Sequence, residues 1–153
     1  MVDGLEIVAA QAEDIDTIRD LWTEYWIWPL EFQGFGQERA SLPGVYVPPH
    51  GRLLLARMWS DAAGTIALRR LSETACEVKR LFVRPRYRGQ GVARALLHRV
   101  IEEARDAGYA EMFCDTQPDM TPARQLYTQA GFFEVGPYSP TPTEGAVYFR
   151  LGL

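Results

Sequence analysis

A short glycine-containing segment between a strand pattern and a helix pattern constrains this chain more than any other feature. An apolar strand pattern at residues 76–83 ends before Pro85, and the sequence Arg88-Gly89-Gln90-Gly91-Val92-Ala93 follows it. An amphipathic helix pattern then runs to Gly108, and a second strand pattern covers residues 110–115. Because a helix that joins two strands of one sheet returns the chain to the same end, the two strands are predicted to be parallel.

The remaining patterns predict an α/β fold with a mixed sheet of six to seven strands and helices on both faces. The elements expected upstream are a strand at 5–9, a helix from 15 that Pro29 stops, a short helix near 37, and a hairpin of strands 52–59 and 65–71 that turns through Asp61 and Gly64. The elements expected downstream are a helix that begins with Thr121 as its side-chain cap and ends at Gly131, and strands at 132–135 and 146–151.

Length and composition indicate one folded domain over residues 1–153. The 153 residues are 47% hydrophobic and 24% charged, which is close to the globular average. An apolar run of the roughly 18 residues that a membrane span needs is absent, and so is a basic and apolar leader pattern. We therefore expect a cytoplasmic protein without a membrane partner. The two cysteines and two histidines have no ligand-like spacing, so no metal is expected.

The distribution of charge predicts an anion site in one part of the chain. The formal net charge of −4 disfavours a general nucleic-acid binder, which needs a basic surface. Six of the 16 basic residues and none of the 20 acidic ones lie between Lys79 and Arg94, so the remainder has ten basic and 20 acidic residues. The predicted helix begins in this basic segment, where its free amides and positive dipole end can hold a phosphate. Arg84, Arg86, Arg88 and Arg94 are expected to add charge there.

Two common classes of phosphate-binding site are excluded because their sequence motifs are missing. A nucleotide P-loop needs Gly-Lys followed by Ser or Thr, but Gly91 is followed by Val92 and Ala93. A dinucleotide fingerprint needs a third glycine, but its place is taken by Arg94. Neither class of nucleotide site is therefore predicted. The alternative to an anion site is a tight strand-to-helix turn whose arginines are solvated.

The segment resembles the phosphate loop of the GCN5-related N-acetyltransferase (GNAT) family, which reads Gln or Arg, two residues, Gly, one residue, then Gly or Ala. Arg88, Gly91 and Ala93 match that pattern. The resemblance extends to the preceding sequence at 78–85 and to Leu126-Tyr127 and Gly131-Phe132 after it. With the matching order of elements it covers roughly the whole chain.

This resemblance implies a fold and a co-substrate. Two central parallel strands would splay apart, and acetyl-CoA would bind in the gap between them. The backbone of Leu81, Phe82 and Val83 would pair with the pantetheine arm. The pyrophosphate would be held by backbone amides of the loop and helix start: Arg88, Gly89, Gln90, Gly91, Val92, Ala93 and Arg94. The implied reaction is direct acetyl transfer to a primary amine, without a covalent enzyme intermediate.

The resemblance also implies two catalytic residues. Tyr127 matches the usual general acid for the departing thiolate, and a phenol is protonated at pH 7. Glu77 precedes the pantetheine-binding stretch and is the candidate general base, acting through water. The alternatives are a core tyrosine and an ordinary strand charge paired with Lys79 or Arg70. Many relatives have asparagine where this chain has Met120. The contact that this asparagine makes to the cofactor must here be absent or replaced, with Asp115, Thr116 and Gln117 as the nearby polar alternatives.

Family resemblance does not identify the acceptor. Residues 26–49 and 138–145 are expected to form an acceptor pocket with aromatic walls and one acidic group. The candidate pocket residues are Trp28, Phe32, Phe35, Tyr46, Tyr138 and Glu144. The prolines in these loops favour a small ligand. The alternative for these aromatics is core packing. We expect a small-molecule or amino-acid acceptor. The alternatives are a protein N-terminal or lysine acetyltransferase and a non-catalytic CoA-binding module. Many relatives dimerise, so a homodimer is also open.

Overall fold

A computed structural model of the protein describes residues 2–25, 34–117, 120–138 and 145–153. One seven-stranded sheet organises them, in the order β1-β2-β3-β4-β5-β7-β6. The strands are β1 Leu5–Ala9, β2 Arg52–Met58, β3 Asp61–Arg70, β4 Ala75–Val83, β5 Glu111–Thr116, β6 Phe133–Val135 and β7 Val147–Gly152. The helices are α1 Ile15–Tyr25, α2 Phe35–Ala40, α3 Val92–Asp106 and α4 Thr121–Gln129.

Helices cover both faces of the sheet, as the sequence predicts. The stripe of α3 that includes Leu96, Leu97 and Val100 packs on one face, and Tyr127 of α4 joins the same apolar cluster. On the opposite face, Ile18 and Trp22 of α1 pack in a second cluster with α2. Each face of the sheet thus buries one hydrophobic cluster, which is the layered arrangement expected of an α/β fold.

The two central strands separate part of the way along. Strands β4 and β5 are parallel, as predicted, and pair only at Ala75 with Glu111, Cys76 with Met112, and Glu77 with Phe113. The last six residues of β4 therefore extend beyond this pairing. All other neighbouring strands are antiparallel. The sheet is mixed, and its parallel pair opens into a gap beyond Glu77.

A β-bulge in β4 lies beside this gap. Thr65 pairs with Phe82 and Ala67 with Lys79, so two residues of β4 oppose one of β3. Arg80 is one of the two, and its φ of 60° is in the left-handed region. A bulge bends its strand and re-aims side chains. Here it coincides with the part of β4 that leaves β5.

Two local predictions were wrong. The hairpin turns at Trp59 and Ser60, whose φ values are 49° and 74°, rather than through Asp61 and Gly64, which belong to β3. Gly64 serves a different purpose, because a Cβ there would lie 2.5 Å from the Phe82 carbonyl oxygen. The second correction concerns α4, which has Met120 at its N-cap and no side-chain cap. Thr121 is instead its first residue.

Candidate active site

The gap between β4 and β5 opens into the larger of two adjoining cavities. This cavity has a volume of about 620 Å³. One wall is formed by the end of β4, with Leu81, Phe82 and Val83, and by the loop and start of α3. The opposite wall comes from α4: Pro122, Ala123, Leu126 and Gln129. A groove between a strand, a glycine loop and two helix starts can hold a long ligand with a charged end.

The glycine loop presents backbone to this cavity. Gly89 and Gly91 have φ values of 76° and 86°, and Gly91 is the N-cap of α3 without a side-chain cap. The first amides of α3 therefore keep free hydrogen-bonding capacity beside the cavity. Of the seven loop residues predicted to bind phosphate, six line the cavity: Arg88, Gly89, Gly91, Val92, Ala93 and Arg94. Gln90 is not among its described lining residues; its side chain donates to the Arg86 carbonyl at 3.2 Å.

Most of the basic charge in this segment is already paired within the protein. The ion pairs are Lys79 with Glu77 at 3.9 Å, Arg80 with Glu38 at 2.6 Å, Arg84 with Glu24 at 2.9 Å, and Arg86 with Asp61 at 2.5 Å. Arg88 donates to the Val83 carbonyl and stacks over the Phe82 ring. The prediction that Arg84 and Arg86 add charge for an anion is therefore corrected. Arg88 and Arg94 are the arginines that line the cavity.

Tyr127, the residue predicted to be the general acid, belongs to the wall of the smaller cavity. This cavity has a volume of about 70 Å³ and shares Tyr25, Leu81, Met120 and Ala123 with the larger cavity. Tyr127 lines it and is 5% exposed, with its ring packed between Phe132 and Phe149. Burial raises the pKa of the Tyr127 phenol well above its usual value. This hydroxyl is consequently a proton donor throughout the neutral range.

Glu77 lies at the point where β4 and β5 separate. Its side chain projects from the face opposite α3, and it is 6% exposed. Arg69 contacts the carboxylate at 3.0 Å, and the Tyr138 hydroxyl donates a short hydrogen bond to it. Burial and the neighbouring Glu77 raise the pKa of that phenol. The ion-pair partners of Glu77 are therefore Lys79 and Arg69, whereas the sequence suggested Lys79 or Arg70. Glu77 is not among the described residues that line either cavity.

A buried ion pair fixes α2 to the bulge of β4. The Arg80 side chain is 6% exposed, pairs with Glu38, and lies 4.9 Å from the centre of the Phe35 ring. Tyr46 donates a short hydrogen bond to the same carboxylate. Burial alone would raise the pKa of Glu38, but the hydrogen bond and charge of Arg80 outweigh it and lower that pKa. The charge pattern of the sequence includes Arg80 in the segment predicted to bind an anion. In the structure, Arg80 instead connects β4 to α2 through Glu38.

The six residues predicted for an acceptor pocket divide into three groups. Phe35 and Tyr46 are buried in the core with Trp22, so core packing accounts for them. Tyr138 lies near the gap, with its ring 4.9 Å from that of Phe113. Trp28, Phe32 and Glu144 lie outside the described residues.

Sequence inspection missed two parts of the cavity walls. Tyr25, at the end of α1, lines both cavities, and burial raises the pKa of its phenol. The α4 wall was also missed, although Ala123, Leu126 and Gln129 have the spacing of one helical face. That spacing is a usable signal. The sequence around Tyr25 carries no such signal, because the position of this residue depends on how α1 packs across the sheet near the gap.

Within the described ranges, no helix is both long and apolar enough to cross a membrane. The same part of the chain contains no group of three or more metal-ligating side chains.

Comparison with known proteins gives concordant matches. The model of the acetyltransferase (GNAT) family matches residues 15–132. An uncharacterised N-acetyltransferase of Schizosaccharomyces pombe is 35% identical over 146 residues, covering 92% of this chain and 90% of that protein.

Solved structures match the fold over almost the full length. A GNAT-family acetyltransferase from Staphylococcus aureus superimposes with a TM-score of 0.80 at 20% identity, covering 97% of this chain and 98% of that one. A Salmonella typhimurium protein, crystallised with its cofactor acetyl-CoA, has a TM-score of 0.71 at 18% identity, covering 98% of this chain and 94% of that one.

Proposed function

Because the chain belongs to the acetyltransferase (GNAT) family of acyltransferases, we propose that it transfers an acetyl group from acetyl-CoA directly to a primary amine of a small molecule or amino acid. The single observation that carries this proposal is the gap between β4 and β5, which joins the 620 Å³ cavity to the smaller one that contains Tyr127. A thioester arm laid along β4 would bring its reactive end to that junction.

The groove fits the co-substrate at both of its ends. At the outer end, the amides of Val92 and Ala93 and the side chain of Arg94 would bind the phosphates. Along the groove, the backbone of β4 beyond Glu77 has no strand partner on its β5 side within the described residues, so Leu81, Phe82 and Val83 can pair with the amides of the arm. When bound, the thioester supplies an activated acetyl group.

Tyr127 would supply the proton for the sulfur that leaves. Its phenol is neutral and buried, and the residue lines the cavity at the inner end of the groove. A positioned proton donor lowers the barrier to expulsion of a thiolate, which is otherwise released as an anion into a dry site. Because its raised pKa keeps the proton in place, Tyr127 acts as an acid and not as a base.

Glu77 would take the proton of the incoming amine through water. Tyr127 belongs to the cluster on the α3 face, whereas Glu77 projects from the α1 face, so acid and base lie on opposite sides of the sheet. On the α1 face this carboxylate lies beside Tyr138, whose ring packs against Phe113. Because Glu77 is buried and lines neither cavity, an amine at the gap would reach it through intervening water. Aromatic faces and a carboxylate suit a protonated amine, which supports a small ammonium as acceptor.

A thiol-release assay with a panel of amines tests the proposal. Acetyl-CoA should first raise the melting temperature of the protein, and some amino acid, polyamine or arylalkylamine should then release free thiol. Tyr127→Phe serves as the control that retains the ring without the proton donor.

The outcomes separate the alternatives. Thiol release only with peptides that carry a free N-terminus or lysine would assign a protein acetyltransferase instead. Binding of acetyl-CoA without release by any amine would assign a non-catalytic module. If acetyl-CoA leaves the melting temperature unchanged, the proposed co-substrate is wrong.

A further inference from the structure

Thr116 carries a buried hydroxyl that the fold does not use. The residue ends β5 and is 7% exposed, and its Oγ1 atom has no hydrogen-bond partner among the described residues. The other buried threonine, Thr65, shows the usual arrangement, since its hydroxyl donates to the Leu54 carbonyl at 2.9 Å. A buried hydroxyl without a partner is costly, and such a group in a native protein calls for a specific cause.

The position of Thr116 supplies that cause. It lines the 70 Å³ cavity together with Tyr127 and Met120. Cys114, two residues earlier on β5, belongs to the same apolar cluster as Tyr127, so the alternation of the strand places Thr116 on the Tyr127 side of the sheet. This cavity is far smaller than the 620 Å³ cavity beside it, so a small acyl group suits it better than a pantetheine chain does.

We propose that Thr116 binds the acetyl thioester, its hydroxyl donating a hydrogen bond to the thioester carbonyl oxygen beside Tyr127. The proposal rests on the proposed function and adds a substrate-positioning residue to it. The hydroxyl lacks a partner in the free protein because its partner arrives with the acetyl donor. Met120, which lines both cavities, has a thioether that is a poor hydrogen-bond partner. Among the polar residues that line the smaller cavity, Arg80 is paired with Glu38 and Lys79 with Glu77, whereas the Thr116 hydroxyl has no partner among the described residues.

The test compares two substitutions of Thr116 with a matched substitution of Thr65. Thr116→Val keeps the shape but removes the hydroxyl, and Thr116→Ser keeps the hydroxyl. Thr116→Val should raise the Kd for acetyl-CoA about tenfold, whereas Thr116→Ser should stay within about twofold of the wild type. The Kd of adenosine 3′,5′-bisphosphate, which carries the phosphates without the arm, should not change in either variant.

Thermal stability of the free protein distinguishes this role from a structural one. Removal of an unpartnered hydroxyl should leave the Tm of Thr116→Val unchanged or higher. Thr65→Val removes a satisfied hydrogen bond and should lower the Tm while leaving the Kd for acetyl-CoA unchanged.

Two results would overturn the inference while leaving the proposed function standing. They are a Thr116→Val variant that binds acetyl-CoA as tightly as the wild type, and one whose Tm falls as that of Thr65→Val does. If the wild-type protein itself fails to bind acetyl-CoA, the proposed function and this inference fail together.

Discussion

The Tyr127 phenol has the properties of an acid that is protected from solvent. Its ring packs against Phe132 and Phe149, and the residue lines a small cavity. The sequence could indicate the residue through the spacing from Tyr127 to Gly131-Phe132. It could not indicate how deeply the phenol is buried, because that burial depends on packing against Phe132 and against Phe149, which is distant along the chain. That burial moves the pKa of the phenol further above neutrality.

Tyr127→Phe should lower kcat about 100-fold, in the range of general-acid contributions, with little change in the Kd for acetyl-CoA. The ring keeps its packing in this variant, so the Tm should stay close to that of the wild type. Steady-state kinetics, isothermal titration and a melting curve on the same preparation check these expectations. Full turnover in the variant would reject the general-acid role.

The pH profile gives a second check on Tyr127. Because burial raises the pKa of its phenol above about 10, the proton is present at every pH below that value. The wild-type kcat should therefore show no loss from this group between pH 7 and about pH 10. An alkaline decline with an apparent pKa near 8 that disappears in Tyr127→Phe would contradict the raised pKa.

At the scale of elements, the basic residues of the segment 79–94 have two roles, one near the loop before α3 and one at the bulge in β4. The loop directs backbone and Arg94 toward the larger cavity, while the bulge directs Arg80 into a buried ion pair. A count of charges along the sequence cannot separate these roles. The partners Glu24, Glu38 and Asp61 lie 25 to 60 residues away along the chain.

Arg94→Ala should raise the Kd for CoA about tenfold, because a charged hydrogen bond to phosphate contributes about 1.5 kcal/mol. Arg86→Ala is the matched control, since Arg86 belongs to the same basic segment but pairs with Asp61. The control should change the Kd less than about twofold. Isothermal titration at two salt concentrations measures both variants, and equal losses would show that overall charge, not the position of Arg94, sets affinity.

Glu38→Gln should destabilise the protein by about 2 to 3 kcal/mol, because it leaves the Arg80 charge buried without its partner. This figure is below that for a fully buried pair, since the Glu38 side chain is 26% exposed. Urea denaturation at pH 7 measures the loss. A double variant, Glu38→Gln with Arg80→Met, should recover part of it, and no recovery would contradict the assignment of the cost to an unpaired charge.

The lowered pKa of Glu38 also gives this pair an acid dependence. A carboxylate with a lowered pKa in the folded state contributes stability above its unfolded value, and that contribution falls as pH decreases through the folded value. The advantage of the wild-type protein over Glu38→Gln should therefore begin to fall below about pH 4.5 and continue to fall as pH passes through the lowered folded value. Urea midpoints at pH 7 and pH 3.5 compare the two proteins.

Regular elements were predictable where local patterns and tertiary packing agree. The α3 helix is an example, because its apolar stripe, Gly91 and Gly108 specify its face and both ends. The β2–β3 turn was not predictable, because Trp59 and Ser60 adopt left-handed φ values that glycine or asparagine would usually take. The candidate site follows the same division. The loop motif was visible in the sequence, whereas Tyr25, the α4 wall and the paired arginines depend on contacts distant along the chain.

At the scale of the whole molecule, the buried thiols and phenols should make stability sensitive to alkaline pH. Burial raises the pKa of Cys76 to about 12 and that of Cys114 well above its usual value. The folded chain thus keeps protons that the unfolded chain releases from about pH 9 upward, so unfolding becomes easier as pH rises. The Tm should fall steadily between pH 8 and pH 10.5.

Replacement of Cys76 and Cys114 by alanine should postpone this alkaline decline toward pH 10, where the unfolded tyrosines begin to ionise. Differential scanning calorimetry across the pH series compares the two proteins. A decline that begins at the same pH in both would show that the thiols do not carry the effect.

The three-residue pairing between β4 and β5 gives the sheet an edge in its interior. An unpaired strand edge is a template for strands of other molecules, and proteins usually cover such edges. If acetyl-CoA binds along this edge as proposed, the edge must stay uncovered in the free protein, and the ligand then pairs with β4 where a strand would otherwise lie. The free enzyme should therefore aggregate more readily than the loaded one, and preparations with CoA present should remain monodisperse for longer.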